Sequence, residues 1–263
     1  MKNLLFILLF ILPLRTLAQK ETVIEPALIE CRYHHIVIQD TVNHTSMKDL
    51  MVLRIGKNVS QFYSDYTRYS DSIWTDPNGR EIAFRQRMEA IRTKNFENNP
   101  GTRTKEYLYK SNPRPGITST YAIQGENDYA FIYFEEETPR QTWKIQDSTK
   151  QVLNYTCQLA VTQFRGRIWY AWFTTDIPID NGPWKLGGLP GLIVEAYDSQ
   201  EHYHYTLTDI RTKNLQPITF YNYWQWESEK TTRLDYLKME HKIHKKHFKS
   251  YAYDFQELDY HRQ

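Results

Sequence analysis

His202 and His204 stand two apart in the run His202-Tyr203-His204-Tyr205-Thr206-Leu207, which alternates like a strand, so both imidazoles are expected to project from one face. Neutral imidazoles at that spacing suit zinc or copper, which makes this pair the candidate metal site. His34-His35 and the trio His241, His244 and His247 are further donors, but a spacing of i, i+3, i+6 drifts around a helix instead of stacking. The plainer reading is nine histidines scattered over a tyrosine-rich surface. Hydrolytic chemistry finds less support. No Gly-x-Ser-x-Gly elbow occurs, and Cys157 falls inside a predicted strand. Glu240-His241-Lys242-Ile243-His244 lacks the His-Glu-x-x-His order of a zinc protease. Glu135-Glu136-Glu137 reads as a charge run at a loop edge, and no spacing pairs it with Asp176 or Glu195 as a glycosidase would require. A hydrolase is therefore the lesser alternative: no residue is assigned as catalytic, and no cofactor is expected.

The segment Gly182-Pro183-Trp184-Lys185-Leu186-Gly187-Gly188-Leu189-Pro190-Gly191-Leu192-Ile193 concentrates glycine and proline as no other part of the chain does. Glycine permits close backbone approach and proline restricts φ, so a rigid, specifically shaped loop feeding an apolar strand is expected. A phosphate cradle is excluded: Pro190 removes an amide donor, no Gly-Lys-Ser/Thr follows, and the next run reads as a strand rather than a helix. Within this loop Trp184 is the tryptophan expected to be exposed to a ligand.

The elements that must position these residues read as mainly β. Aromatic residues make up 15% of the chain, with 20 Tyr, against only 10 Gly, which fits half-buried strands carrying aromatic cross-strand pairs. Strands are predicted over 28–38, 50–55, 105–110, 117–124, 128–134, 151–157, 158–163, 167–174, 191–197, 202–210 and 218–223, separated by turn-forming clusters. Their spacing predicts an antiparallel meander: a curved sheet or partly open barrel with one packed helix and a C-terminal helix. The packed helix is predicted over 79–93, where Phe84, Met88 and Ile91 form one apolar stripe. The C-terminal helix, about 226–249, has Leu234, Leu237 and Ile243 on a thinner stripe. Its lysines read as a solvated face, or as a basic face for an anionic surface.

Residues 1–18 read as a secretory signal peptide: Met1-Lys2-Asn3, then an apolar run from Leu4 to Leu12, then Leu17-Ala18 before Gln19. The rest, 19–263, is expected to be a single domain, exported to the periplasm, the outer membrane or beyond, and not transmembrane once the leader is cleaved. Of the 33 Lys+Arg, Lys2 and Arg15 lie in the leader, so what remains balances the 31 Asp+Glu, and no basic field for nucleic acid is present. Cys31 and Cys157 form one disulfide in an oxidising compartment or persist as two buried thiols. A bond closing so long a loop would contribute about 4–5 kcal/mol.

The hexapeptide Gly188-Leu189-Pro190-Gly191-Leu192-Ile193 resembles the motif that names the GLPGLI family of bacterial cell-envelope proteins, common in Bacteroidota. Tyr155-x-Cys157-x-x-Ala160, Phe164-x-Gly166-Arg167, Trp172-Phe173-Thr174, Ile177-Pro178, Gly182-Pro183-Trp184-Lys185 and Glu195-Ala196-Tyr197-Asp198 extend the resemblance, as do Leu53-Arg54-Ile55 and Ser60-x-Phe62-Tyr63-Ser64. It implies a secreted, β-rich envelope protein, in a family without an assigned activity or catalytic residues, whose motif defines a fold rather than a reaction centre. The function expected is a non-enzymatic module binding a ligand or partner such as an outer-membrane protein, a peptide, a lipid or a glycan. A metal-binding envelope protein is the alternative.

Overall fold

The computed structural model describes residues 21–41, 43, 45–95, 101–124 and 130–247, without the side chains of 244–247. The predicted signal peptide lies outside the described residues. The chain begins with β1 (Glu21–Glu25), β2 (Ile29–Asp40), β3 (Thr45–Ile55) and β4 (Ser60–Ser64), then two helices, α1 (Asp65–Trp74) and α2 (Gly79–Thr93). Next come β5 (Tyr107–Lys110), β6 (Ile117–Gln124), β7 (Ala130–Glu137), β8 (Lys144–Val152), β9 (Tyr155–Phe164) and β10 (Arg167–Thr174). After a long loop follow β11 (Leu192–Asp198), β12 (Tyr203–Arg211), β13 (Ile218–Tyr221), β14 (Ser228–Lys230) and α3 (Arg233–His247).

Twelve strands form one sheet in the order β14-β7-β6-β5-β4-β3-β2-β12-β11-β10-β9-β8, and β1 pairs with β13 in a separate ribbon. All pairings are antiparallel except β14 with β7. The sheet does not close, yet it curls strongly. Leu108 of β5 and Ala160 of β9 share one buried cluster although six strands separate them in the sheet, and Glu136 of β7 pairs with Arg165 at the β9–β10 turn. The mainly β, curved antiparallel architecture is thus as expected.

Register divides the strands into two faces. On the inner face, Tyr33, Met51, Phe62, Leu108, Leu207 and Ala171 build the core with the loop before β11. On the outer face, Tyr63, Tyr107, Tyr109 and Tyr121 lie under the β13 ribbon. Ring centroids there stand 4.1 Å apart for Tyr107 and Tyr221 and 5.0 Å apart for Tyr121 and Phe220. Glu106-Tyr107-Leu108-Tyr109 alternates because both faces are covered, not because one meets water.

Local signals set the helix ends. Ser64 accepts from the Thr67 amide to start α1. Thr232 and Asp235 form a reciprocal cap at α3, with the Asp235 amide donating to the Thr232 hydroxyl at 3.1 Å. The C-terminal helix therefore begins later than predicted, since 228–230 pairs as a strand with β7. Helix α2 keeps its predicted range, but its stripe is a correction: Phe84 is 60% exposed, Met88 and Ile91 are exposed too, and Ala83 and Ala90 are buried. A small-residue face permits close approach to α1, which the larger side chains would prevent. Gln151–Cys157 and Gln158–Gln163 were predicted as two strands, whereas the break falls earlier, at Leu153 with φ 52°, so Cys157 and Gln158 share β9.

Candidate functional site: a cavity on the inner face

The Gly/Pro-rich loop between β10 and β11 is folded into the core. Leu186, Leu189, Leu192 and Ile193 are buried, as are Gly182 and Pro183, while Gly188 and Pro190 reach the surface. Its backbone is held from several elements. Lys110 donates from Nζ to Asn181 Oδ1, Gly182 O and Leu186 O at 2.9, 3.1 and 2.7 Å. Trp143 Nε1 donates to Gly187 O at 2.7 Å, and Tyr33 to Ile193 O at 2.8 Å. Gly191 is required by contact, because a Cβ there would stand 2.0 Å from Thr174 O. Gly188 is required by conformation, with φ +84°. The motif's Leu189, Gly191, Leu192 and Ile193 thus lie in the core, and the anchored loop presents Trp184 and Lys185 to the cavity beside it.

That cavity, about 340 Å³, lies on the inner face between α3 and the strands β2, β10 and β12. Its wall includes the rings of Phe62, Trp169, Trp184, Tyr203 and Tyr205. Trp184, in the left-handed region at φ 50°, is half-buried instead of fully exposed, its ring 5.8 Å from Trp169 and 5.6 Å from Phe164. His35 stacks on Tyr205 with centroids 4.2 Å apart and planes at 6°. Burial, against the opposing pull of Asp49, brings its imidazole down to about 4, so it is neutral and offers one donor and one acceptor. Among the described residues neither nitrogen has a partner, and the same holds for the Thr120 hydroxyl and the Trp169 indole N–H, all in the cavity wall.

Charged side chains, Arg103 and Lys105 among them, stand around the cavity. At one end, Glu136 meets Arg165 and Lys185, with Arg233 Nε at 3.9 Å. Burial pushes the Glu136 carboxyl up, but Lys185 and Arg165 outweigh it and hold the carboxyl below the usual range. Arg167 pairs with the buried Asp198 at 2.5 Å and lies over the Tyr203 ring. At the other end Glu106 accepts from Tyr236 at 2.7 Å, Gln124 contacts Glu240, and both carboxyls line the cavity. Burial and the charge of Glu240 raise Glu106.

The predicted metal pair is not brought together. His202 precedes β12, so alternation does not apply to it, and its Nδ1 lies 3.3 Å from Arg167 at the cavity. His204, within the strand, turns outward to Glu195 at 3.1 Å and the ring of Tyr197. Among the described residues no group of three or more His, Cys, Asp or Glu is placed to hold a metal ion. Cys31 and Cys157 are free and buried, which corrects the disulfide alternative. They sit on β2 and β9 and belong to the same buried cluster.

Sequence reasoning missed Lys110 and Glu106 altogether, named His35 only as a further metal donor, and read Glu136 as part of a charge run at a loop edge. The signal was present in the strand parity for two of them: Lys110 shares a side with the apolar Leu108, and His35 with Tyr33. A charged or polar side chain on the core side of a strand needs a partner, so such positions mark a site or an anchor. Among the described residues no helix is long and apolar enough to cross a membrane.

A family profile described as "N-glycanase peptide, N-terminal domain" matches residues 65–238, more than half of the chain. No curated protein matches. Two solved structures of PNGF-II, in space groups C2 and P21, superpose with TM-scores of 0.51 and 0.52 at 14% identity, covering 82% of this chain and 33% of each of theirs. The chain spans about a third of the length of those proteins, and the likeness is one of fold.

Proposed function

We propose that this chain, which belongs to the N-glycanase peptide N-terminal domain family, is an exported, non-enzymatic domain that binds a saccharide in the inner-face cavity. One observation carries the reading: His35, Thr120 and Trp169 stand in the cavity wall with polar atoms that have no partner among the described residues. Such atoms are costly when left unsatisfied, and they need a ligand with donors and acceptors of its own. The stacked and tilted rings around them suit the C–H face of a sugar as well as its hydroxyls. A lipid tail would satisfy the rings and leave the polar atoms orphaned. Export is supported by the leader-like first 18 residues, and a binding role by a motif absorbed into the core.

The test is titration of the purified protein with an N-glycan, followed by tryptophan fluorescence from Trp169 and Trp184. Saturable binding is expected, weakened about tenfold, or 1.4 kcal/mol, by Thr120→Val, which keeps shape and removes the hydroxyl. Binding of peptide or phospholipid vesicles with no response to the glycan would overturn the saccharide reading. Turnover of the glycan that disappears in Glu240→Gln would make the domain an enzyme, with Glu106 and Glu240 as its carboxyls.

A further inference from the structure

Resting on that saccharide reading, we infer that the cavity selects an acidic sugar, whose carboxylate, sulfate or phosphate lodges beside Lys185, Arg165 and Arg233. These three cations converge on a single carboxylate, Glu136. Their side chains are only 5%, 18% and 15% exposed, so water screens them little. Lys185 and Arg165 alone already outnumber the one carboxylate they share. A positive excess held in a low-dielectric wall is unfavourable until an anion enters and offsets it. Arg167, two residues beyond Arg165, shows the contrast. It is matched one to one by Asp198, so it adds no excess.

The opposite end holds two carboxyls, Glu106 and Glu240, with Lys105 close enough to act on Glu106. Glu240 lies seven residues after Arg233 on α3, about 10 Å along the helix axis. With Glu106 it offers carboxyl oxygens that accept hydrogen bonds from the donors of a ligand. The arrangement orients the ligand: acidic group toward the arginines, hydroxyl or amide donors toward the glutamates. Between the ends, His35 and Thr120 meet the neutral middle of the sugar. Arginine guanidinium groups match planar or tetrahedral oxyanions with paired N–H donors, and a buried lysine adds a point charge.

The experiment compares a sialylated biantennary N-glycan with the same glycan after desialylation, at low and high NaCl, by calorimetry on the whole protein. The acidic glycan is expected to bind about tenfold more tightly at low salt, with the advantage shrinking as salt rises. Arg165→Gln is expected to bring the two glycans to equal affinity, and Arg165→Lys to keep the preference, with thermal melts showing both variants folded. Equal affinity of the two glycans for the native protein would overturn the acidic-sugar inference and leave the saccharide reading standing. Binding of neither would overturn both.

Discussion

The ammonium nitrogen of Lys110 on β5 lies 2.7 Å from the carbonyl oxygen of Leu186, 76 residues further along the chain. Two further oxygens, from Asn181 and Gly182, complete its shell. One buried lysine therefore fastens the Gly/Pro-rich loop to the inner face of the sheet, and through the loop it sets Trp184 and Lys185 in the cavity wall. Lys110→Met is expected to leave these oxygens without a donor and to destabilise the protein by about 3 kcal/mol or more. Guanidinium unfolding measures this. A loss within about 0.5 kcal/mol would show that the loop holds itself.

Gly191 and Gly188 should separate by mechanism. Gly191→Ala puts a methyl group 2.0 Å from Thr174 O, against backbone that joins β10 to the loop, so no folded protein is expected, and still less from Gly191→Val. Gly188→Ala meets nothing closer than 3.5 Å and is left with left-handed strain, about 1–2 kcal/mol. Soluble yield and thermal melting of the pair test the distinction. A well-folded Gly191→Ala would contradict the close approach.

Asp71 gives a pH dependence with a definite sign. Burial between α1 and the outer tyrosines raises it to about 6, against the hydrogen bond from Tyr107. Because the folded pKa lies above the unfolded one, its contribution is fully present below about pH 4 and is lost as pH rises to about 6. Asp71→Asn keeps an acceptor for Tyr107 and does not ionise. It should flatten stability over this window by up to about 3 kcal/mol, read from denaturation midpoints at a series of pH values. An unchanged pH profile would remove Asp71 as its source.

The thiols of Cys31 and Cys157 should be silent in the folded protein. Burial pushes Cys31 up to about 12, and Cys157 is raised for the same first reason. A thiol-specific reagent at mildly alkaline pH is expected to label neither until the chain is unfolded by guanidinium, and then both without prior reduction. A requirement for reductant would reveal a bond between them.

Strand parity and turn chemistry are local, and they made much of the fold legible. Arg167–Thr174 and Ile117–Gln124 were placed at their observed bounds, and the helix 79–93 likewise. Local pattern misled where the decisive neighbour is remote. The Phe84, Met88 and Ile91 stripe looked like a core face, but α1 receives the alanine face instead. His202 and His204 looked paired, but the strand begins between them. The strand 60–64 stood out only as part of a family resemblance, and the short strand 228–230 was hidden inside a helical pattern.

What the amino-acid sequence determined by itself is the set of short-range facts: alternating aromatic strands, the glycines and prolines that shape one loop, and the balance of charge. These depend on each residue's own sterics and its immediate neighbours. What only the tertiary structure decided is the cavity, because it exists through curling. Glu136 and Arg165 belong to opposite reaches of one sheet, and Lys110 meets a loop that no spacing could have assigned to it. Curvature comes from twist summed over twelve strands and from the packing of side chains between them. That sum brings distant charges within ångströms of each other, and no local pattern encodes it.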